Sequence, residues 1–116
     1  MAFANTVTVT LSSATTTSRA INLDWMNGAP VGISVTGSSS GTNAMVYSVQ
    51  TTLDDIMQTA SSVVSWITDP NATALTSNSS GVYVYTAPLA GIRITSSTAN
   101  SSGNVTTMKV TQGSWL

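Results

Sequence analysis

The feature that most constrains this chain is a two-residue alternation of apolar β-branched or leucine side chains with polar ones. It is clearest in residues 6–11, where Val7, Val9 and Leu11 alternate with threonines. Since successive side chains of a strand point to opposite faces, each such run predicts a strand with one apolar face. Comparable runs predict further strands at 19–25, 31–35, 43–52, 62–68, 81–85, 92–94 and 105–112.

Turn-forming residues separate these runs. Asn27-Gly28 and Asp69-Pro70-Asn71 favour tight turns, and the Gly/Ser-rich stretch 37–42 and the Ser/Thr/Asn-rich stretch 71–80 indicate loops. About eight short strands at even spacing predict an all-β fold, an antiparallel β-sandwich that is jelly-roll-like. We expect one domain over residues 1–116, with 1–5 and 113–116 as terminal arms. The strand order does not follow from the pattern.

The alternation also assigns residues to the core. Spacing places three aromatic residues there: Trp25, Tyr47 and Trp66. The run 43–52 and the residue after it put Met45, Tyr47, Val49, Thr51 and Leu53 on one face. Residues 54–60 fit one turn of helix instead.

The composition removes most catalytic chemistry. The chain has no histidine, cysteine or glutamate, and only 6% of its residues are charged. A Ser/His/Asp triad, a thiolate nucleophile and a cysteine-based zinc site are therefore impossible. We expect a protein that is not an enzyme and that needs no cofactor and no metal.

Asp54-Asp55 is the one acidic pair, and two interpretations of it are open. The carboxylates could bind calcium, which prefers several oxygen ligands. Adjacent residues of a strand point to opposite faces, however, and no further acidic residue lies nearby in sequence. A turn that ends a strand, or a cap for a short helix, is the better interpretation.

The charge balance also bears on partners. The formal net charge is −1, so the chain has no basic field for nucleic acid and no polybasic patch for an anionic membrane. The first residues lack a basic segment followed by a long apolar one, so we expect no signal peptide. A hydroxyl-rich surface with few charges suits a protein that is packed into an assembly.

The order of several segments resembles the small β-sandwich virion proteins of tailed bacteriophages, which include capsid decoration (cement) proteins. The segments are 30–37, 47–55 with the later Trp66, and Pro88 with 91–94 and 103–113. The family's pattern often has a proline soon after the Asp pair, whereas this chain has Ile56-Met57. The resemblance implies a structural protein of the particle, without catalytic residues.

From the resemblance we expect a decoration protein made in the host bacterial cytoplasm and located on the capsid surface of the virion. It would bind the major capsid protein, stabilise its lattice and form a homo-oligomer, either a dimer or a trimer. Contacts are expected in the two arms, in the loops 38–43 and 69–80, and on one face of the strand 81–85. The candidate residues are Met1, Phe3, Asn5, Ser39, Thr42, Tyr83, Tyr85, Trp115 and Leu116.

An alternative is a tail, neck or fibre module that binds a host surface glycan. Trp25, Tyr83 and Tyr85 would then stack on sugar rings. Tyr83 and Tyr85 share one face of their strand and Val82 and Val84 share the other, so we expect only one of these faces to lie in the core.

Overall fold

A computed structural model describes residues 5–12, 17–23, 30–39, 46–73, 75–76, 80–86, 89–96 and 104–112. Apart from one 3₁₀ turn at Ser61–Val63, the regular structure in these ranges is β. No helix in them is long and apolar enough to cross a membrane. The strands are β1 (Asn5–Ser12), β2 (Ile21–Asn22), β3 (Val31–Ser39), β4 (Val46–Thr52), β5 (Ile67–Thr68), β6 (Leu75–Thr76), β7 (Ser80–Tyr85), β8 (Gly91–Ser96) and β9 (Asn104–Gln112).

The strands form two antiparallel sheets. The front sheet has the order β1-β9-β3-β7, and the back sheet has the order β2-β8-β4-β5, with β6 also paired to β4. The pairs are nested: β1 with β9, β2 with β8, β3 with β7, and β4 with β5 and β6. Nested pairs of this kind arise when one long antiparallel hairpin is wrapped so that its strands divide between two sheets. This arrangement is the jelly-roll topology. The expected β-sandwich of the jelly-roll type is therefore confirmed.

The core lies between the two sheets and follows the alternation of the strands. In β1, Val9 and Leu11 are buried, whereas Thr8 and Thr10 are exposed. Ile92 and Ile94 on β8 are fully buried on the opposite side. Each such side chain contributes about 1.5–3 kcal/mol when it is removed from water. The buried apolar residues are Val9, Leu11, Ile21, Leu23, Val31, Ile33, Val35, Tyr47, Val49, Ala72, Leu89, Ala90, Ile92, Ile94, Met108 and Val110.

Several predicted boundaries were wrong. The segment Gly37 to Ser39, expected as loop, continues β3 and pairs with β9, with Gly37 opposite Thr106. The predicted strand 62–68 shortens to Ile67–Thr68 after the 3₁₀ turn. Within the predicted loop 71–80, β6 pairs with β4.

The prediction that Leu53 shares a face with Tyr47 and Val49 was also wrong. The strand ends at Thr52, whose hydroxyl accepts a 3.0 Å hydrogen bond from the Asp54 N–H. This bond turns the chain, and the Leu53 side chain is 73% exposed.

Candidate interaction surfaces

The outer face of the front sheet carries mostly polar side chains. Register places Thr8, Lys109, Ser34 and Val82 in one row across β1, β9, β3 and β7. Lys109 is exposed on this face, as the alternation predicts, and it is the face's one charged residue in the described strands. One neighbouring row has Thr107 on β9 and Thr36 on β3, and the other has Thr111 and Gly32, so the face has little charge with which to select a partner.

The edge of this sheet is apolar. On β7, Val82 is 76% exposed and Val84 is 65% exposed. Among the described strands, β7 pairs with β3 alone, so its other side is a sheet edge. A sheet edge with apolar side chains is a template for pairing with another chain.

Tyr83 and Tyr85 occupy the inner face of β7. Both are partly buried and pack against the core, which confirms that only one face of this strand lies inside. Their position turns the rings away from solvent, where a sugar would stack. The proposed role of these two residues in protein contacts stays a prediction.

A hydrogen bond joins this edge to the back sheet. The Tyr85 hydroxyl donates to Asp69 Oδ2, and Asp69 Oδ1 accepts a 2.9 Å bond from the Asn71 N–H. Burial and then the bond to Asp69 raise the pKa of Tyr85. By holding Tyr85 inward, the bond also fixes Val82 and Val84 outward, since alternate residues of a strand take opposite faces.

The outer face of the back sheet is covered by the chain's own connection between β4 and β5. The Trp66 ring lies beneath the Arg93 guanidinium, whose carbon is 4.3 Å from the ring centroid. Arg93 Nε donates a 2.8 Å hydrogen bond to Gln50 Oε1, and Gln50 Nε2 donates to Thr68 Oγ1 at 3.4 Å. Trp66 is therefore on the outer face and not in the core as predicted, because alternation does not say which side of a sheet a ring covers.

Gly91 makes room for this cover. A Cβ atom at Gly91 would lie 3.0 Å from Thr52 Cγ2, 3.2 Å from Ile56 Cγ2 and 3.4 Å from Trp66 Cη2. Real Cβ atoms rarely approach other groups that closely. Glycine at this position therefore allows the connection to lie directly on β8.

The acidic pair stabilises the same connection. Asp54 Oδ2 accepts a 2.7 Å hydrogen bond from the Ser65 N–H, and Asp55 Oδ1 accepts a 3.0 Å bond from the Met57 N–H. These bonds match the turn interpretation of the pair. In the described part of the chain no three His, Cys, Asp or Glu residues cluster as metal ligands would.

Tyr47 is a buried polar group in the apolar core. Its side chain is fully buried on β4, and its hydroxyl has no hydrogen-bond partner among the described residues. Burial, and then electrostatic repulsion from Tyr83, raise the pKa of Tyr47 to about 12. The prediction that Tyr47 belongs to the core is confirmed.

The remaining sequence candidates are spread over the molecule. Asn5 begins β1 opposite Gln112, and Ser39 ends β3 opposite Asn104, so these two lie at opposite ends of the front sheet. The structure does not bring them together. Outside the described residues lie Met1, Phe3, Trp25, Thr42, Trp115 and Leu116.

Sequence reasoning missed the group formed by Gln50, Trp66 and Arg93. One signal for it was present, because Arg93 alternates with two isoleucines and must face outward on a buried strand. The pairing of Arg93 with Gln50 depends on strand order, which the sequence pattern does not contain.

The class that the fold defines is a jelly-roll β-sandwich, and solved structures share it. No protein-family model matches the chain, and no curated protein matches it in sequence. A structure of Bacillus endospore appendages, a family of disulfide-linked pili, has a TM-score of 0.55 at 14% identity, covering 97% of this chain and 87% of that one. The SPBc2 prophage-derived protein YomS has a TM-score of 0.54 at 9% identity, covering 97% and 95%.

A third structure, the acidic stable capsid of Helicobacter pylori bacteriophage KHP30, is more distant. It has a TM-score of 0.47 at 14% identity and covers 97% of this chain and 92% of that one. At these identities, the first two likenesses establish the fold alone.

Proposed function

We propose that this protein is a structural component of a tailed-phage particle, and that it decorates the outside of the head. It binds the major capsid protein, stabilises the capsid lattice and self-associates there. The observation that carries the proposal is the pair of exposed valines on the outward face of the edge strand β7.

The valine pair is suited to protein contact because of where it lies. Two valines on one face of a regular strand present a continuous apolar stripe beside free backbone groups. Covering both side chains stabilises a contact by a few kcal/mol, at about 1.5–3 kcal/mol for each fully buried valine. A partner strand laid along β7 would gain this burial together with backbone hydrogen bonds.

The composition supports an assembled state. Seven charged residues in 116 leave little repulsion between neighbouring copies. The chain has no cysteine, so its contacts are non-covalent, unlike those of the disulfide-linked pili that share the fold. The resemblance to tailed-phage decoration proteins points to the head, and the prophage origin of YomS agrees with a phage setting.

Salt tests the apolar character of the contact. At about 1 M NaCl the Debye length falls to about 3 Å, so contacts that depend on charge are lost. We expect the protein to stay on purified particles through such a wash, as measured by quantitative gel analysis of pelleted particles. Release by salt alone would contradict an apolar interface.

Copy number tests the location on the particle. A protein that covers a head lattice is present in far more copies than a protein that forms a single closed ring in the neck or tail. Quantitative mass spectrometry of purified particles should give hundreds of copies. A count near a dozen would place the protein in the neck or tail and would overturn the decoration role.

A further inference from the structure

A small pocket lies on the outer face of the back sheet, beside the cover that Trp66 forms. Its volume is about 220 Å³. Pockets for drug-sized ligands span roughly 300–1,000 Å³, so this one holds a ligand of about one ring. The lining residues are Ala20, Ile56, Ser61, Val64, Trp66 and Arg93.

The Arg93 guanidinium is positioned by Gln50 and Trp66, and it has further N–H groups that can donate hydrogen bonds. Its Nε–H is used by Gln50, and its planar face is used by the Trp66 ring. A guanidinium has five N–H donors, so four remain on the two terminal nitrogens. These form the fork that binds a carboxylate through two parallel hydrogen bonds.

No described carboxylate satisfies this cation. Asp54 and Asp55 are bound to backbone N–H groups of their own connection, and Asp69 is bound to Tyr85 and Asn71. Burial lowers the pKa of Arg93, and no acidic group among the described residues raises it again. An anion in the pocket would therefore stabilise a half-buried charge that the described residues leave without a counter-ion.

The other residues that line the pocket determine which kind of molecule can bear the anionic group. Ile56, Val64 and the Trp66 ring are apolar, and Ser61 adds one hydroxyl. Aromatic rings pack against the C–H faces of sugar rings, and hydroxyl groups pair with a sugar's hydroxyls. A free inorganic anion would leave these apolar walls uncovered.

We propose that the Trp66–Arg93 pocket is a binding site for a small carboxylate-bearing ring, of which a uronic acid is the simplest case. The carboxylate binds the Arg93 fork, and the ring lies against the apolar walls beside Trp66. The site lies on the back sheet, away from the valine stripe, and it does not depend on the proposed role in the capsid.

Titrations followed by ¹H–¹⁵N NMR test the site, with glucuronate as the ligand. Glucose serves as the control without a carboxylate, and acetate as the control without a ring. We expect glucuronate to shift the Trp66 indole N–H and the Arg93 Nε–H signals, with a dissociation constant of about 1 mM. Glucose and acetate should bind at least about tenfold more weakly.

Two substitutions that each remove one positive charge distinguish binding in the pocket from a general electrostatic effect. Arg93→Gln should weaken glucuronate binding at least about tenfold, and Lys109→Gln, on the front sheet, should change it less than about twofold. Arg93→Lys keeps the charge but loses the fork, so its affinity should fall between those of Arg93→Gln and the unchanged protein. The spectra report the fold of each variant at the same time.

Three results would overturn the proposal. They are no shift of the Trp66 and Arg93 signals at about 100 mM glucuronate, equal affinity for acetate and glucuronate, and equal loss in the Arg93 and Lys109 variants. If Arg93→Gln does not fold, Trp66→Phe and Arg93→Lys answer the same question, and unchanged affinity in both would reject the site.

Discussion

The outer faces of the two sheets differ in what covers them. The outer face of the back sheet is covered by the connection between β4 and β5. The Trp66 ring of this connection packs against β8 and beneath Arg93, which is bound to Gln50. On the outer face of the front sheet, Thr8, Thr10 and Lys109 are exposed, and the edge strand exposes Val82 and Val84. The strands of both sheets show the same alternation of apolar and polar residues, so the cover, and not the strand pattern, decides which outer face is available.

Apolar side chains are also exposed beside the back sheet, namely Leu53, Met57 and Val63 on the connection and Ile67 on the two-residue strand β5. Most of these lie on irregular backbone, where scattered apolar exposure is ordinary in soluble proteins. The β7 valines lie instead on a regular edge strand, which natural proteins usually protect. Because of this difference, we propose that the protein contact lies on the front sheet.

The largest expected effect on stability comes from a comparison of two strand glycines, one on each outer face. Gly91→Ala should lower the free energy of unfolding by about 1–3 kcal/mol, because the new Cβ overlaps the packed cover. Gly32→Ala on the front sheet meets nothing within 4 Å and should be neutral or stabilise by up to about 1 kcal/mol. Urea denaturation measures both. Equal losses would show that the back-sheet cover is not packed as described.

The next effect concerns the bond between β7 and the back sheet. Tyr85→Phe removes the donor to Asp69 and should lower the free energy of unfolding by about 1–2 kcal/mol. Asp69→Asn leaves one acceptor oxygen for the two bonds that the carboxylate accepts, from Tyr85 and from the Asn71 N–H, so it should also lower the free energy of unfolding. If Tyr85→Phe unfolds at the same denaturant concentration as the unchanged protein, the bond does not fix the edge strand.

A smaller effect is expected at Tyr47, the fully buried tyrosine of β4. Tyr47→Phe deletes a buried hydroxyl that has no described partner, so stability should change by less than about 1 kcal/mol and can rise. Thermal unfolding compares it with Tyr85→Phe. A loss as large as that of Tyr85→Phe would mean that the Tyr47 hydroxyl has a bonding partner.

The same two tyrosines predict how stability depends on pH. In the folded chain the pKa values of both tyrosines are raised above the ordinary value of 10.0, and the pKa of Tyr47 is raised to about 12. The unfolded chain thus loses these protons first, and stability should fall as pH rises from 10 toward 12. Denaturant midpoints across this range should show a smaller fall in Tyr47→Phe. An identical fall would remove Tyr47 as a contributor.

The smallest expected effect on stability is at the valine stripe. Val82→Thr with Val84→Thr keeps two β-branched residues on an exposed strand face, so stability should change by less than about 0.5 kcal/mol. Circular dichroism melting curves check this. A larger loss would show that the valines contribute to the fold itself, which would weaken their assignment to a partner.

The sequence predicts the class of fold because alternation and turns are local signals. In β1 and β3 the inward residues follow directly from spacing, as Val9 and Ile33 show. Gly37 to Ser39 were misassigned because their glycine and serines favour loops, whereas pairing with β9 holds them in a strand. Long-range pairing overrides local preference at such positions.

The candidate surfaces were less predictable for the same reason. Alternation separated Val82 and Val84 from Tyr83 and Tyr85, but it did not say which face the second sheet covers. The position of Trp66 depends on Gly91, which is 25 residues later in the chain and adjacent only in the folded sheet. A property that depends on strand order is absent from a single-sequence pattern.

The most direct test of the decoration role is occupancy of purified particles by variants of the valine stripe. Val82→Thr with Val84→Thr is compared with Val63→Thr, an equally exposed valine on the back-sheet connection. We predict that the double variant folds normally but leaves most positions on the head empty, while Val63→Thr fills them. Full occupancy by the double variant, or equal loss in both, would contradict the assignment of the capsid contact to β7.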